Sequence, residues 1–235
     1  MKVISIVSGI LLGAIILGSC QQDAGTVGTV ELTTSLDTVS YCIGLSIGSN
    51  LKNSPMKEMN YLALAEGLKD ILEDQETRID PYNANRIISV YMQQLEAAVA
   101  EENLIAGENF LKNNSQKEGI VTTQSGLQYK ILKEGTGPRP QANDLVSVHY
   151  HGTLIDGTVF DSSLDGDPAQ FQVNRVIKGW QEAIQLMPVG SKWEVFIPAD
   201  LGYGPRPMPG SSIGPNEVLI FEVELFDIIQ PAEEK

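Results

Sequence analysis

Apolar positions recur along this chain in two rhythms, and the change between them falls near Gly119. Before it they return every three or four residues, the period of a helix. After it they alternate, the period of a strand. Asp37 reads as the cap of a first helix running through Lys52, with Tyr41, Leu45 and Leu51 at near-helical spacing. Gly44 and Gly48 share one face of it, where another backbone could come close. Cys42, in Tyr41-Cys42-Ile43-Gly44, reads as a small buried apolar residue. A second helix is expected from Asn60 to Glu73, with Leu64, Leu68 and Ile71 on one side. The third is announced by Asp80-Pro81, an N-cap followed by proline at the first helical position. Ile88, Tyr91, Leu95, Val99 and Ala106 continue its stripe toward Lys117. Such a helix is about 50 Å long at ~1.5 Å per residue. Its stripe is too irregular for a heptad zipper, so it packs against a second copy or serves as a rigid spacer. The alternative is two shorter helices broken at Gly107.

Beyond Gly119, Leu127, Tyr129 and Ile131 alternate, as do Val146, Val148 and Tyr150 within Leu145–Leu154. Asp156-Gly157 marks a tight turn before Val159-Phe160. Trp193–Ile197 is another strand. In Leu219–Phe226 the residues Phe221, Val223 and Leu225 face in, and Glu222 and Glu224 face out. One short helix interrupts the strands, with Val176, Ile177, Trp180, Ile184 and Met187 for its buried face and Pro188 and Gly190 to end it. Antiparallel strands with one helix, preceded by an all-α region, make the fold class α+β.

The first residues stand apart from both rhythms. Lys2 precedes an apolar run from Val3 to Leu17, too short for a confident membrane span and suited to a signal segment. The run ends in Leu17-Gly18-Ser19-Cys20, similar to a bacterial lipobox, where the Cys20 thiol would carry the lipid. Two or three acyl chains hold a protein stably on a membrane, and one does so only marginally. The expected division is a leader over 1–19, a flexible tether over 20–33, a helical region with the long helix over 34–118, and a β-rich domain over 119–235. The net charge of −14 becomes more negative when Lys2 is cleaved away. With no basic stripe to offset it, nucleic acid is an improbable partner. The chain has two cysteines. With Cys20 acylated, Cys42 has no partner within the chain, so neither a disulfide framework nor a cysteine metal site is expected. His149 and His151 lie two apart on a strand with no third ligand in view, and no metal or cofactor is expected.

The β-rich half resembles the FKBP family of peptidyl-prolyl cis-trans isomerases. The resemblance is carried by Val148-His149-Tyr150-His151-Gly152, Asp156-Gly157, Phe160-Asp161-Ser162-Ser163, Val176-Ile177-Lys178-Gly179-Trp180, Met187-Pro188-Val189-Gly190, Gly202-Tyr203-Gly204 and Leu219–Leu225. These stretches stand in the family's order and spacing from about Gly126 to Ile228. The N-terminal half is more loosely similar to the helical dimerisation region of the macrophage-infectivity-potentiator type of bacterial FKBP. The resemblance implies an antiparallel sheet wrapped on one short helix, and a homodimer formed through the N-terminal helices. It also implies a proline pocket with Trp180 as its floor. Tyr150, Phe160, Val176, Ile177, Tyr203 and Phe221 would be its walls, Asp161 its rim and Ile213 the flap above it. The Ile177 N–H would hold a substrate carbonyl, and the Tyr203 hydroxyl would bond the peptide.

Two departures from the family stand out. The arginine that often partners the carboxylate at Asp161 falls at or near Gly166, and the aromatic after the loop proline is Ala169. Both open one side of the pocket. They also weaken the Asp161 network, so activity is expected to survive with an altered preference for the residue before proline and weaker binding of FK506-type macrolides. The flap Pro205–Gly210 is rich in proline, so substrate choice would be set there.

The expected activity is prolyl isomerisation of exported, unfolded or extended polypeptides at a bacterial envelope, periplasmic or on the outer membrane, by a membrane-anchored lipoprotein. Isomerisation crosses a barrier of ~18–20 kcal/mol without breaking a bond. A binding module or chaperone that recognises proline with little catalysis is the other reading. A lipoprotein that delivers solutes for import is disfavoured for want of a solute-binding pattern.

Overall fold

The computed structural model describes residues 29–52, 54–56, 58–207 and 211–229. The leader, Cys20, most of the expected tether and Met208–Gly210 of the flap lie outside these residues. The described residues form helices α1 (Ser35–Lys52), α2 (Tyr61–Leu72), α3 (Pro81–Asn114) and α4 (Lys178–Leu186). They also form strands β1 (Ile120–Thr122), β2 (Gln128–Lys133), β3 (Leu145–Thr153), β4 (Val159–Ser162), β5 (Ala169–Gln172), β6 (Lys192–Ile197) and β7 (Leu219–Ile229). The fold is α+β, with helices first and an antiparallel sheet after them. Packing divides the chain into two units. One runs to Ile43 and includes Glu58–Arg78; the other takes Gly44–Lys57 and everything from Ile79 onward.

In the first unit the helix starts are set by side-chain caps. Asp37 is not the cap of α1; Thr34 is, three residues earlier. Asp37 N–H donates to Thr34 Oγ1 at 3.1 Å, and Thr34 N–H donates to Asp37 Oδ2 at 2.7 Å. This reciprocal pair satisfies two donors that a helix start leaves open. The Thr34 bonds hold the Asp37 carboxyl below the usual carboxylate range. For α2 the Asn60 side chain accepts from the N–H groups of Leu62 and Ala63, both at 3.1 Å. Neither helix buries a residue, so Leu64, Leu68 and Ile71 lie on an exposed face, and so does Cys42. That corrects the buried reading of Cys42. A helix buries its stripe only where another layer covers it, and the described residues of one chain supply no such layer.

In the second unit α3 is continuous for 34 residues, so it passes through Gly107 without a break. Asp80 caps it by accepting from Tyr82 N–H at 3.0 Å. Gly107 is a contact point rather than a breaker. A Cβ there would lie 2.8 Å from Val218 Cγ2, and only a glycine lets the helix come this close. The docking face mixes small, polar and apolar residues: Ala100, Asn103, Gly107, Phe110, Leu111 and Asn114. Ile88 and Tyr91, from the expected stripe, are exposed instead. Asn114 Nδ2 donates to Gln128 Oε1 at 3.0 Å, and Gln128 Nε2 donates to the Leu111 carbonyl at 2.9 Å. Both side chains are buried. The sheet unit thus reaches back across residue 118 to the start of α3.

The sheet has strand order β1-β2-β6-β7-β3-β4, with β5 added to β3, and every pairing is antiparallel. The β3–β7 ladder runs from Leu145 opposite Ile229 to Thr153 opposite Ile220. Alternation sends Val146, Val148 and Tyr150 of β3, Trp193, Val195 and Ile197 of β6, and Leu219, Phe221, Val223 and Leu225 of β7 to one face. There they meet Trp180, Ala183 and Ile184 of α4 in one core. Phe196 belongs to the opposite face yet is buried, with the Phe110 ring of α3 5.9 Å away. One face of the sheet therefore carries α4, and part of the other carries the end of α3.

Gly107→Ala favours an isolated helix by up to about 1 kcal/mol, but here it drives a methyl into the stiff, buried Val218. A net destabilisation of about 1 kcal/mol is expected, read as a lower urea midpoint at unchanged slope.

Candidate active site

Between the inner face of the sheet and the start of α4 lies a cavity of about 880 Å³. All nine residues expected at the pocket line it: Tyr150, Phe160, Asp161, Val176, Ile177, Trp180, Tyr203, Ile213 and Phe221. Phe171, Arg175 and Ser211 line it as well and escaped the sequence reading.

The floor is the Trp180 indole, buried on the first turn of α4. Tyr150, Phe171 and Phe221 stand edge-on to it, with centroids at 5.3, 5.5 and 5.2 Å and planes turned by 85°, 80° and 81°. Phe160 meets Phe221 edge-on at 5.3 Å. Gly152 makes this corner feasible. A Cβ there would fall 2.7 Å from the Phe160 ring and 2.9 Å from Phe221. The Trp180 Nε1 is buried without a hydrogen-bond partner among the described residues. An unpaired buried donor costs about 1–3 kcal/mol.

Phe171 explains part of the departure seen at Ala169. The two residues are on the same face of β5, two positions apart, so Phe171 supplies an aromatic wall beside Tyr150, at 5.8 Å. Strand alternation applied to Ala169-Gln170-Phe171 would have found it.

The polar rim is short. Tyr150 Oη donates to Asp161 Oδ2 at 2.7 Å, and Ser162 N–H donates to Asp161 Oδ1 at 2.9 Å. Asp161 enters no ion pair among the described residues. Burial pushes the Tyr150 phenol up to about 12, and the accepting, negatively charged Asp161 adds to the effect. Below this rim, Tyr150 N–H donates to Ser163 Oγ at 2.9 Å and Ser163 N–H donates to the Tyr150 carbonyl at 3.0 Å, fixing β4 against β3. His149 and His151 face away and meet Ser163 and Ser162 at 3.1 and 3.2 Å. At the other wall, Ile177 is the N-cap of α4 in extended backbone, so its N–H stands ahead of the helix. Gln181 Nε2 donates to the Val176 carbonyl at 2.8 Å and locks that corner.

A largely apolar cavity whose polar groups are Asp161, Arg175, Ser211 and the phenols of Tyr150 and Tyr203 can bind and desolvate, and among the described residues it offers no nucleophile with an adjacent base. Known proteins agree with that reading. Residues 137–226 match the family described as FKBP-type peptidyl-prolyl cis-trans isomerase, and residues 36–131 match the domain amino terminal to it. The chain is 45% identical over 231 residues to the outer membrane protein MIP of Legionella longbeachae, covering 94% of this chain and 98% of that protein. The chain belongs to the FKBP-type peptidyl-prolyl cis-trans isomerases. It is also 43% identical over 210 residues to the FKBP-type 22 kDa peptidyl-prolyl cis-trans isomerase of Escherichia coli, covering 84% of this chain and 99% of that one. The crystal structure of FkpA from Escherichia coli is similar with a TM-score of 0.66 at 29% identity, covering 86% of this chain and all of that one. As an isomerase of this family, the protein acts on proline-containing polypeptides.

For this FKBP the Tyr150 phenol gives a direct readout of the rim. Its folded-state pKa lies above the ordinary tyrosine value, so the protonated form is favoured on folding. The associated stability is complete below about pH 10 and is lost as pH rises toward 12. Alkaline difference spectroscopy should show Tyr150 ionising near 12, and Asp161→Asn should lower that midpoint.

Proposed function

We propose that the cavity over Trp180 is where this isomerase turns the X-Pro bond. The three aromatic edges around a flat indole carry the reading, because they frame a slot for a pyrrolidine ring. The proline ring packs on Trp180, between Tyr150, Phe171 and Phe221. The Ile177 N–H receives a substrate carbonyl, and the Tyr203 hydroxyl bonds the peptide. Asp161 orients Tyr150 at the rim, and Ile213 closes the top. Amide resonance separates charge in the planar bond and is lost in the twisted one, so a water-poor pocket favours the twisted form. Shortening tens of seconds to milliseconds takes about 5–6 kcal/mol of such differential stabilisation. No covalent step is involved. Macrolides of the FK506 type would occupy the same apolar slot.

The clients we propose are exported chains folding at a bacterial envelope, with the enzyme held on a membrane through Cys20. The Leu17–Cys20 motif and the name of the Legionella relative support this placement. No helix among the described residues is long and apolar enough to cross a membrane. Two copies would pair through the N-terminal helices. The exposed Leu36, Val39, Ile43, Leu62 and Leu68 support this, since stripes of this size are normally covered. The same stripes support a second role as a chaperone surface that grips unfolded chains beside the catalytic slot.

In a proline-peptide isomerisation assay, Asp161→Ala and Trp180→Leu should each lower kcat/KM more than tenfold while the circular dichroism of the sheet persists. Unchanged rates in both would refute the site. In sedimentation, the full chain should run as a dimer and residues 79–235 as an active monomer.

A further inference from the structure

The long helix touches the cavity's loops through polar contacts that prolyl isomerisation does not by itself require. Asn103 Nδ2 donates to the Pro215 carbonyl at 2.8 Å. Asn216 Nδ2 returns a bond to the Ala100 carbonyl, one turn earlier on α3, at 3.0 Å. Asn216 N–H donates to the Gly204 carbonyl at 2.9 Å. Asn216 has φ of +55°, in the left-handed region that costs most side chains energy and costs asparagine less. Its bonds to Ala100 and Gly204 hold this turn in place. One turn further along α3, Gly107 lets Val218 pack closely and fixes the far end of the same segment.

The two loops tied in this way carry cavity residues. Tyr203 immediately precedes Gly204, while Ser211 and Ile213 lie just before Pro215. We infer that Asn103 and Asn216 clamp both loops onto α3, so that the helix sets how tightly a proline peptide is held. Asn103 lines no part of the cavity, so it is a positioning residue. The inference rests on reading the cavity as the catalytic site.

The physical argument is one of prior ordering. A loop already fixed in the binding-competent arrangement has less conformational freedom left to lose when the peptide arrives. If the competent fraction falls, apparent affinity falls in the same proportion. Trp180, Tyr150 and Asp161 stand on α4, β3 and β4, which the clamp does not touch. Loosening it should therefore weaken binding more than turnover.

The test uses the full chain and a chromogenic proline tetrapeptide. Asn103→Ala should raise KM about three- to tenfold, the range that loss of one ordering hydrogen bond delivers, with kcat within about twofold. Amide exchange should quicken at Gly204 and over residues 211–218 and stay unchanged in the rest of the sheet. Asn216→Gly keeps the left-handed backbone, removes the side-chain bond and should give the same split. An unchanged KM in both variants, or faster exchange spread over the whole sheet, overturns the clamp. Asp161→Ala run alongside separates the two readings. If it alone cuts activity, the clamp has failed and the site stands; if it also leaves activity intact, the site assignment has failed.

Discussion

The Trp180 indole is met edge-on by three rings that arrive from three different strands, Tyr150 from β3, Phe171 from β5 and Phe221 from β7. Aromatic pairs prefer this geometry because the positive edge of one ring meets the negative face of another, worth about 0.5–1.5 kcal/mol a pair beyond area burial. Edge-on contact also has a consequence for shape. Rings standing upright around a flat floor leave a slot over the floor, whereas rings stacked on it would fill the space. The same contacts that hold α4 on the sheet therefore keep the cavity open.

Close approach is the second constraint, and two glycines satisfy it. Gly152 lets Phe160 and Phe221 meet over β3, and Gly107 lets α3 settle against Val218. One shapes the wall of the slot from within. The other brings a helix onto the far side of the sheet, where Phe110 covers Phe196 and where Asn103 can reach the loop leading to the flap. The protein thus has two layers of support around one cavity, an apolar layer inside and a polar, small-residue layer outside.

The first two helices follow a different logic. Their starts are specified locally, by the Thr34–Asp37 pair and by Asn60, and need nothing from the rest of the chain. Their apolar faces have no such local answer. Leucine and isoleucine stripes of this size are normally covered, which is the ground for the pairing proposed above.

Much of this was legible in the order of residues. The switch from a three-to-four-residue period to alternation located the helical and sheet halves. Asp80-Pro81 marked the start of α3, and the ordered motifs from Val148 to Leu225 named nine residues that share one cavity. What the order of residues could not show were contacts whose signal is the absence of an apolar side chain. The docking face of α3 includes Ala100, Asn103, Gly107 and Asn114, which no hydrophobic pattern marks, while of the expected stripe Ile88 and Tyr91 stay in water and Leu95, Val99 and Ala106 are half-buried. Phe171 was hidden because attention fell on Ala169, two residues earlier on the same face. Phe196 stands on the face of β6 away from the α4 core, and the arrival of Phe110 is what buries it. Local sequence determines period, caps and turn chemistry, because these depend on neighbours within a few residues. Tertiary structure alone decides which face is covered, because a face is buried only by what another part of the chain lays upon it.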